Sequence, residues 1–85
     1  MNIPLSNTRQ PRLTPREIEV TLTWIASGSK AIAARRLHLA EPTVRAHIAN
    51  VREKYSAVER SAHTKSDLLL CFLEDGHLHS GFRAN

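Results

Sequence analysis

Val44, Ile48, Val51 and Tyr55 recur at i, i+4, i+7 and i+11, a spacing that sets four large apolar side chains along one side of a helix for three turns. A stripe of that length commits residues Glu41 to Tyr55 to a helix docked on a core. It equally commits the opposite side to the surface. That side carries Pro42, Arg45, Ala46, Ala49, Asn50, Arg52 and Glu53. The free face is therefore basic, with small residues where a helix must approach a partner closely.

The other elements follow from their ends. Thr14-Pro15-Arg16-Glu17 has the capping-box spacing with proline at the first helical position, Leu13 and Ile18 flank it as a hydrophobic staple, and Gly28 can close the helix. Ile18, Leu22 and Ile25, with Trp24 beside the last, give this first helix its expected apolar face. Ser29 can cap a short second helix from Lys30 to about His38, with Ile32, Ala33 and Leu37 turned inward and Arg35 and Arg36 solvated. His38-Leu39-Ala40 is a tight connection to the third helix, and Ser56 to His63 reads as a loop. Thr64 with Asp67 caps a fourth helix from about Lys65 to Asp75, closed by Gly76. Nothing alternates with the period of two that a half-buried strand shows. The expected class is all-α with four helices: one domain over residues 13–76, a flexible N-terminal arm over 1–12 carrying Arg9 and Arg12, and a tail over 77–85.

At 85 residues there is room for one compact domain and none for a deep substrate cavity. The net charge of +4 favours a polyanionic partner. The positive excess lies between Leu13 and His63, where eight basic residues face five acidic ones. Cys71 is the one cysteine, so no intrachain disulfide is possible, and it is expected as a small buried hydrophobe. No apolar run approaches the ~20 residues of a membrane span, and the start lacks the pattern of a secretory leader; the expected setting is the cytoplasm. His38, His63, His77 and His79 lack the spacing of zinc ligands. No nucleophile, base and orienting group assemble, and no glycine-rich phosphate loop is present. Neither an enzyme, a cofactor, a metal nor a small-molecule substrate is expected.

A short helix, a tight turn and a longer amphipathic helix form the arrangement that places the second of the pair in the major groove of DNA. On the free face, Arg45 is the first choice for base readout, because its planar fork matches O6 and N7 of guanine. Asn50 can pair with adenine, while Ala46 and Ala49 can touch a thymine methyl or permit close approach. Thr43, Arg52, Lys54 and Lys30 lie toward the flanks and are expected on phosphates.

Leu13-Thr14-Pro15-Arg16-Glu17, Thr43-Val44-Arg45-Ala46-His47-Ile48 and Lys54-Tyr55 stand in the order and spacing of three motifs, and through them the chain resembles the LuxR/GerE-type helix-turn-helix family, whose domain also forms the output half of NarL-like response regulators. The resemblance covers residues 13–60, and more loosely reaches Gly76. It implies a four-helix domain that binds double-stranded DNA as a dimer, with the third helix in the major groove and pairing through the fourth. The family's base-contacting positions fall on Arg45, Ala46 and Ala49, its phosphate-contacting threonine on Thr43, and its basic residue before the aromatic on Lys54. His47 stands where the family has a histidine and is expected to be structural. Val58-Glu59-Arg60-Ser61 matches the family's Val-x-Asn-Arg only in part, with Arg60 expected on a phosphate. Three departures stand out. Ala40 replaces the usual capping serine of the recognition helix, at a cost of about 1 kcal/mol. The first helix is one residue longer before Gly28, and the segment from Gly28 to Leu37 one shorter, than is typical.

Leu68 to Leu73 is six apolar residues in a row, which at 100° per residue surround the fourth helix and cannot all face one core. A second copy of the chain is the economical cover, with Leu68, Leu69, Cys71, Phe72 and Leu73 at the expected seam. The tail residues Leu78 and Phe82 folding back are the alternative cover. Two functions therefore stand open: a homodimeric transcription regulator, or an adaptor or anti-activator that pairs through the fourth helix with a larger regulator. RNA polymerase is a further possible partner.

Overall fold

The computed structural model describes residues 9–78. It contains α1 (Pro15–Ser27), α2 (Lys30–Leu37), α3 (Glu41–Ala57) and α4 (Lys65–Glu74), with no strand among the described residues. Residues 1–8 of the expected arm and the tail from His79, Phe82 included, lie outside the described residues.

Local chemistry fixes the ends. The Glu17 amide donates to Thr14 Oγ1 at 3.0 Å and the Thr14 amide to Glu17 Oε1 at 2.9 Å, a reciprocal capping box with Pro15 in the first turn. Gly28 ends α1 in the left-handed region at φ 83°, from which its amide reaches Trp24 O. Ser29 Oγ caps α2 through the Ile32 amide at 3.2 Å, and Thr64 with Asp67 repeats the reciprocal box at α4. His38 takes the left-handed conformation at φ 57° and turns the chain from α2 into α3.

Tyr55, Ile48, Val44 and Val51 are the buried stripe of α3 that their spacing requires. Against it α2 sets Ala33 and Ala34, whose small side chains let the two backbones approach closely. Ile32 and Leu37, expected inward, are only half-buried. On α1 the face is rotated from the expected one: Glu17, Val20, Thr21 and Trp24 are buried at i, i+3, i+4 and i+7, with Leu22 beside them, while Ile18 and Ile25 sit half-buried at the edge. The rotation has two causes. α1 packs against both α2 and α3, which widens its buried arc, and Glu17 is carried inward by a cation from α3.

In α4, Leu68, Cys71 and Phe72 turn into the domain's own core. These three, expected at a seam between copies, are thereby corrected to core residues. Leu69 is half-buried, whereas Leu70 and Leu73 are 57% and 54% exposed. Leu78 packs partly against the core. Tyr55 and Phe72 meet with ring centroids 6.3 Å apart, joining α3 to α4. α3 also continues two residues beyond Tyr55, so Ser56 and Ala57 belong to the helix and the connection is correspondingly shorter.

Within this core the Thr21 hydroxyl is buried without a hydrogen-bond partner, a desolvation loss with nothing in return. Thr21→Val, of nearly the same shape, is expected to raise the unfolding free energy by about 1 kcal/mol in urea melts; a loss of stability would show that the hydroxyl is bonded after all.

Candidate nucleic-acid interface

With its apolar stripe turned inward, α3 presents Pro42, Thr43, Arg45, Ala46, Ala49, Asn50 and Glu53 as exposed residues. Arg45, Ala46, Ala49 and Asn50, singled out for base contact, thus share one open surface. Arg45, Ala49 and Arg52 succeed one another at i, i+4 and i+7 and so form one row along it.

The head of this helix is sparsely satisfied. Ala40 offers no side-chain cap; its carbonyl accepts from the amides of Thr43 at 3.0 Å and Val44 at 3.2 Å. Pro42 has no amide hydrogen to satisfy, which lowers the demand at this end. Glu41 places a carboxylate in the first turn, favourable toward the helix dipole, and pairs with Arg45 one turn on. Such an exposed i, i+4 pair is worth only about 0.3–0.5 kcal/mol, so Arg45 is held to its own helix but readily released.

The expected phosphate-contacting cations divide into two groups. Lys54 Nζ bonds Glu17 Oε1 at 2.8 Å and Arg12 O at 3.1 Å, so it joins α3 to α1 while remaining about one-third exposed. Arg60, also expected on a phosphate, is tied down more completely. Its side chain is only 8% exposed and donates to Asp75 Oδ2 at 3.0 Å, Glu74 Oε1 at 3.0 Å and Arg9 O at 2.8 Å, with its guanidinium 4.9 Å from the centre of the Tyr55 ring. The left-handed turn at Glu59, φ 61°, brings it back over the end of α3. Arg60 therefore fastens α4 to the domain, with little of its side chain left open.

Lys30 and Arg52 behave differently. Both gather at Trp24, with the Lys30 ammonium 5.2 Å and the Arg52 guanidinium 5.6 Å from the ring centre, and they are joined there by Lys65, at 4.9 Å, the first residue of α4. Among the described residues none of the three pairs with a carboxylate. Lys65 did not stand out in the sequence, because nothing in its neighbourhood announces that α4 begins beside the end of α1.

The paired groups carry matching shifts. Burial works against the Glu17 carboxylate, but the Lys54 hydrogen bond and the Thr14 amide outweigh it and hold Glu17 below its ordinary value. Burial likewise disfavours charge on Arg60, and the Asp75 hydrogen bond and charge overcome it, raising the guanidinium's proton affinity. The Tyr55 hydroxyl is buried and donates to Asp75 Oδ2 at 2.8 Å, which together push its ionisation far up. Burial also raises the Cys71 thiol, which is a core group in contact with Ser61 O. Among the described residues no group of three His, Cys, Asp or Glu side chains could hold a metal ion, and no helix is long and apolar enough to cross a membrane.

A family model described as bacterial regulatory proteins, luxR family (GerE), matches residues 11–65, well over half of the chain. Neither a curated protein nor a solved structure matches it.

The Glu17–Lys54 link sets a pH dependence. A carboxyl held below its ordinary value of 4.5 in the fold takes up its proton more readily when unfolded, so its stabilising contribution is full above that value and is lost as the pH falls below it. Thermal melts stepped from pH 6 toward pH 3 are expected to show a smaller loss of stability in Glu17→Gln than in the parent; equal losses would assign the acid sensitivity elsewhere.

Proposed function

Because the chain belongs to the luxR family of bacterial regulatory proteins, we propose that it is a sequence-specific transcription regulator that binds double-stranded DNA as a homodimer, with α3 lying in the major groove. The observation that carries this reading is the two-sided α3: a fully buried stripe opposite an open face on which Arg45, Ala46, Ala49 and Asn50 stand together. In this reading residues 13–76 form the DNA-binding domain and α2 braces α3 from behind.

Arg45 takes guanine through its two-pronged donor set after leaving Glu41, and Asn50 takes adenine. Ala46 and Ala49 keep the helix surface low enough for both to reach. Thr43, Lys30 and Arg52 contact backbone phosphates. Lys54 contributes field at the flank while its ammonium stays on Glu17. Arg60 is not among the contacts.

The second copy is proposed to lie on α4, where Leu70 and Leu73 are open and Leu69 is half-covered. Two large apolar side chains one turn apart on a short helix suit a self-complementary two-fold contact. A dimer of this kind reads two inverted half-sites about one helical turn apart. A larger regulator or RNA polymerase is the competing occupant of the same surface, and an adaptor would keep it while reading no DNA.

Arg45→Ala is expected to weaken binding to a site selected from a random duplex pool by about 1–3 kcal/mol and to relax preference at one base pair, with nonspecific binding nearly unchanged. A variant that retains full preference removes Arg45 from the readout, and a parent protein that binds no duplex at low salt sinks the whole reading.

The pairing surface is tested separately. Leu70→Glu combined with Leu73→Glu alters only exposed positions, so helical content is expected to be kept while sedimentation shows a monomer and the inverted site loses its advantage over a half-site. An unchanged dimer would place the contact elsewhere, and a parent that is monomeric at all concentrations would favour the adaptor.

A further inference from the structure

We propose that Lys30, Arg52 and Lys65, gathered around Trp24 where the Lys65 side chain reaches the turn between α1 and α2, form a binding site for one phosphate group. The inference rests on the DNA-binding reading for its natural source, a backbone phosphodiester, and extends it to a cation and an aromatic that the helix-turn-helix pattern does not supply.

The unusual feature is the company these cations keep. Arg16, Arg45, Lys54 and Arg60 each have a carboxylate within salt-bridge distance. Lys30, Arg52 and Lys65 have none among the described residues, which is also true of Arg9, Arg12, Arg35 and Arg36, but these three converge over one ring. Their distances from its centre confine any two of them to within about 11 Å of each other, close to one screening length at ordinary salt. Three like charges so placed repel; the ring's negative face and, for Lys65, the Gly28 carbonyl are what offset them. The Nε of Arg52 is in addition buried and bonded to nothing, a donor left without a partner. An anion entering the cluster removes both costs together.

The positions are also held. Trp24 is 6% exposed, fixed in the core between α1 and its neighbours, and Lys65 Nζ donates to Gly28 O at 3.3 Å. That bond brings the start of α4 beside the Gly28-Ser29-Lys30 segment that opens α2. The N-terminus of α2, whose first turn holds no acidic residue, adds its partial positive charge to the three full charges.

Placement relative to α3 selects phosphate. Arg52 lies seven residues beyond Arg45 in the same row, about 10 Å along the helix axis, which is comparable to the ~12 Å width of the major groove. When Arg45 stands at a base edge, Arg52 and its two companions stand at the strand that borders the groove. A tetrahedral phosphate, with several oxygens to share, can accept from an arginine and two ammonium groups at once.

Lys65→Gln tests this, because Lys65 lies outside the Thr64–Asp67 capping box and the substitution removes a repelling charge. Its melting temperature without phosphate is expected to equal or exceed that of the parent. On both selected and random duplexes, the slope of log affinity against log salt is expected to fall in size by about 0.9, with Lys65→Arg restoring it. A second arm uses inorganic phosphate against chloride at equal ionic strength, read by emission of Trp24, the one tryptophan. Phosphate is expected to change that emission in the parent and not in Lys65→Gln. A parent that binds no duplex but keeps the Lys65-dependent phosphate response would support the site with free phosphate as its ligand, and would sink the DNA reading alone. A parent that binds duplex with a salt slope unmoved by Lys65→Gln, and with emission indifferent to phosphate, would overturn the site and leave the DNA reading standing.

Discussion

The packing of α3 against α1 and α2 along Val44, Ile48, Val51 and Tyr55 is the constraint from which the rest of the molecule follows. Each of these side chains contributes about 1.5–3 kcal/mol by leaving water, and together they fix the helix in rotation as well as in place. A helix fixed in rotation has no choice about its other side. Arg45, Ala46, Ala49 and Asn50 are exposed because a period of 3.6 leaves them nowhere else to go, so fold and candidate surface are two consequences of one pattern.

Around that packing, buried charge holds the remaining pieces. Arg60, Asp75 and the Tyr55 hydroxyl form one network in which the Asp75 side chain is 1% exposed and accepts from both partners. Burial of ions is costly, and such a network holds when its members are well satisfied; here the backbone carbonyl of Arg9 and the carboxylate of Glu74 accept from two further guanidinium N–H groups. The network thereby ties α4, the close of α3 and the chain leading into α1 to one point. Leu68 and Phe72 add the apolar part of the same junction, which leaves Leu70 and Leu73 as the α4 residues not spent on the domain itself.

What was legible in the sequence was local. Helix ends are legible at Thr14, Gly28, Ser29 and Thr64 because a cap bonds backbone groups only three or four residues away, and the α3 stripe because its period is long and unbroken. The α1 face is not legible in this way, because Ile18, Leu22 and Ile25 are apolar whereas the buried arc includes Glu17 and Thr21. Glu17 can be inside only because Lys54, 37 residues on, meets it. The burial of Arg60 is hidden in the sequence for the same reason: its partners Glu74 and Asp75 are brought to it by a turn and a helix, not by spacing. The convergence of Lys30, Arg52 and Lys65 on Trp24 was equally invisible, since it joins four helices.

These long-range ties are distributed unevenly along α3. Its C-terminal half is fastened by Lys54 to Glu17 and Arg12, and by Tyr55 to Asp75 and Phe72. Its N-terminal half has the apolar stripe alone: Ala40 provides no cap, Pro42 brings no amide, and Arg45 is held by one weak surface pair. The missing serine cap would be a defect if the helix depended on that end for stability, but the strong contacts lie at the other. A reading head needs this polarity, because the half that enters a groove must keep its donors free while the half outside carries the load. In this chain the asymmetry has a simple origin. Every charged or aromatic residue that anchors α3 lies at Arg52 or beyond, so the turns before it are left with small side chains, exposed donors and one readily broken ion pair.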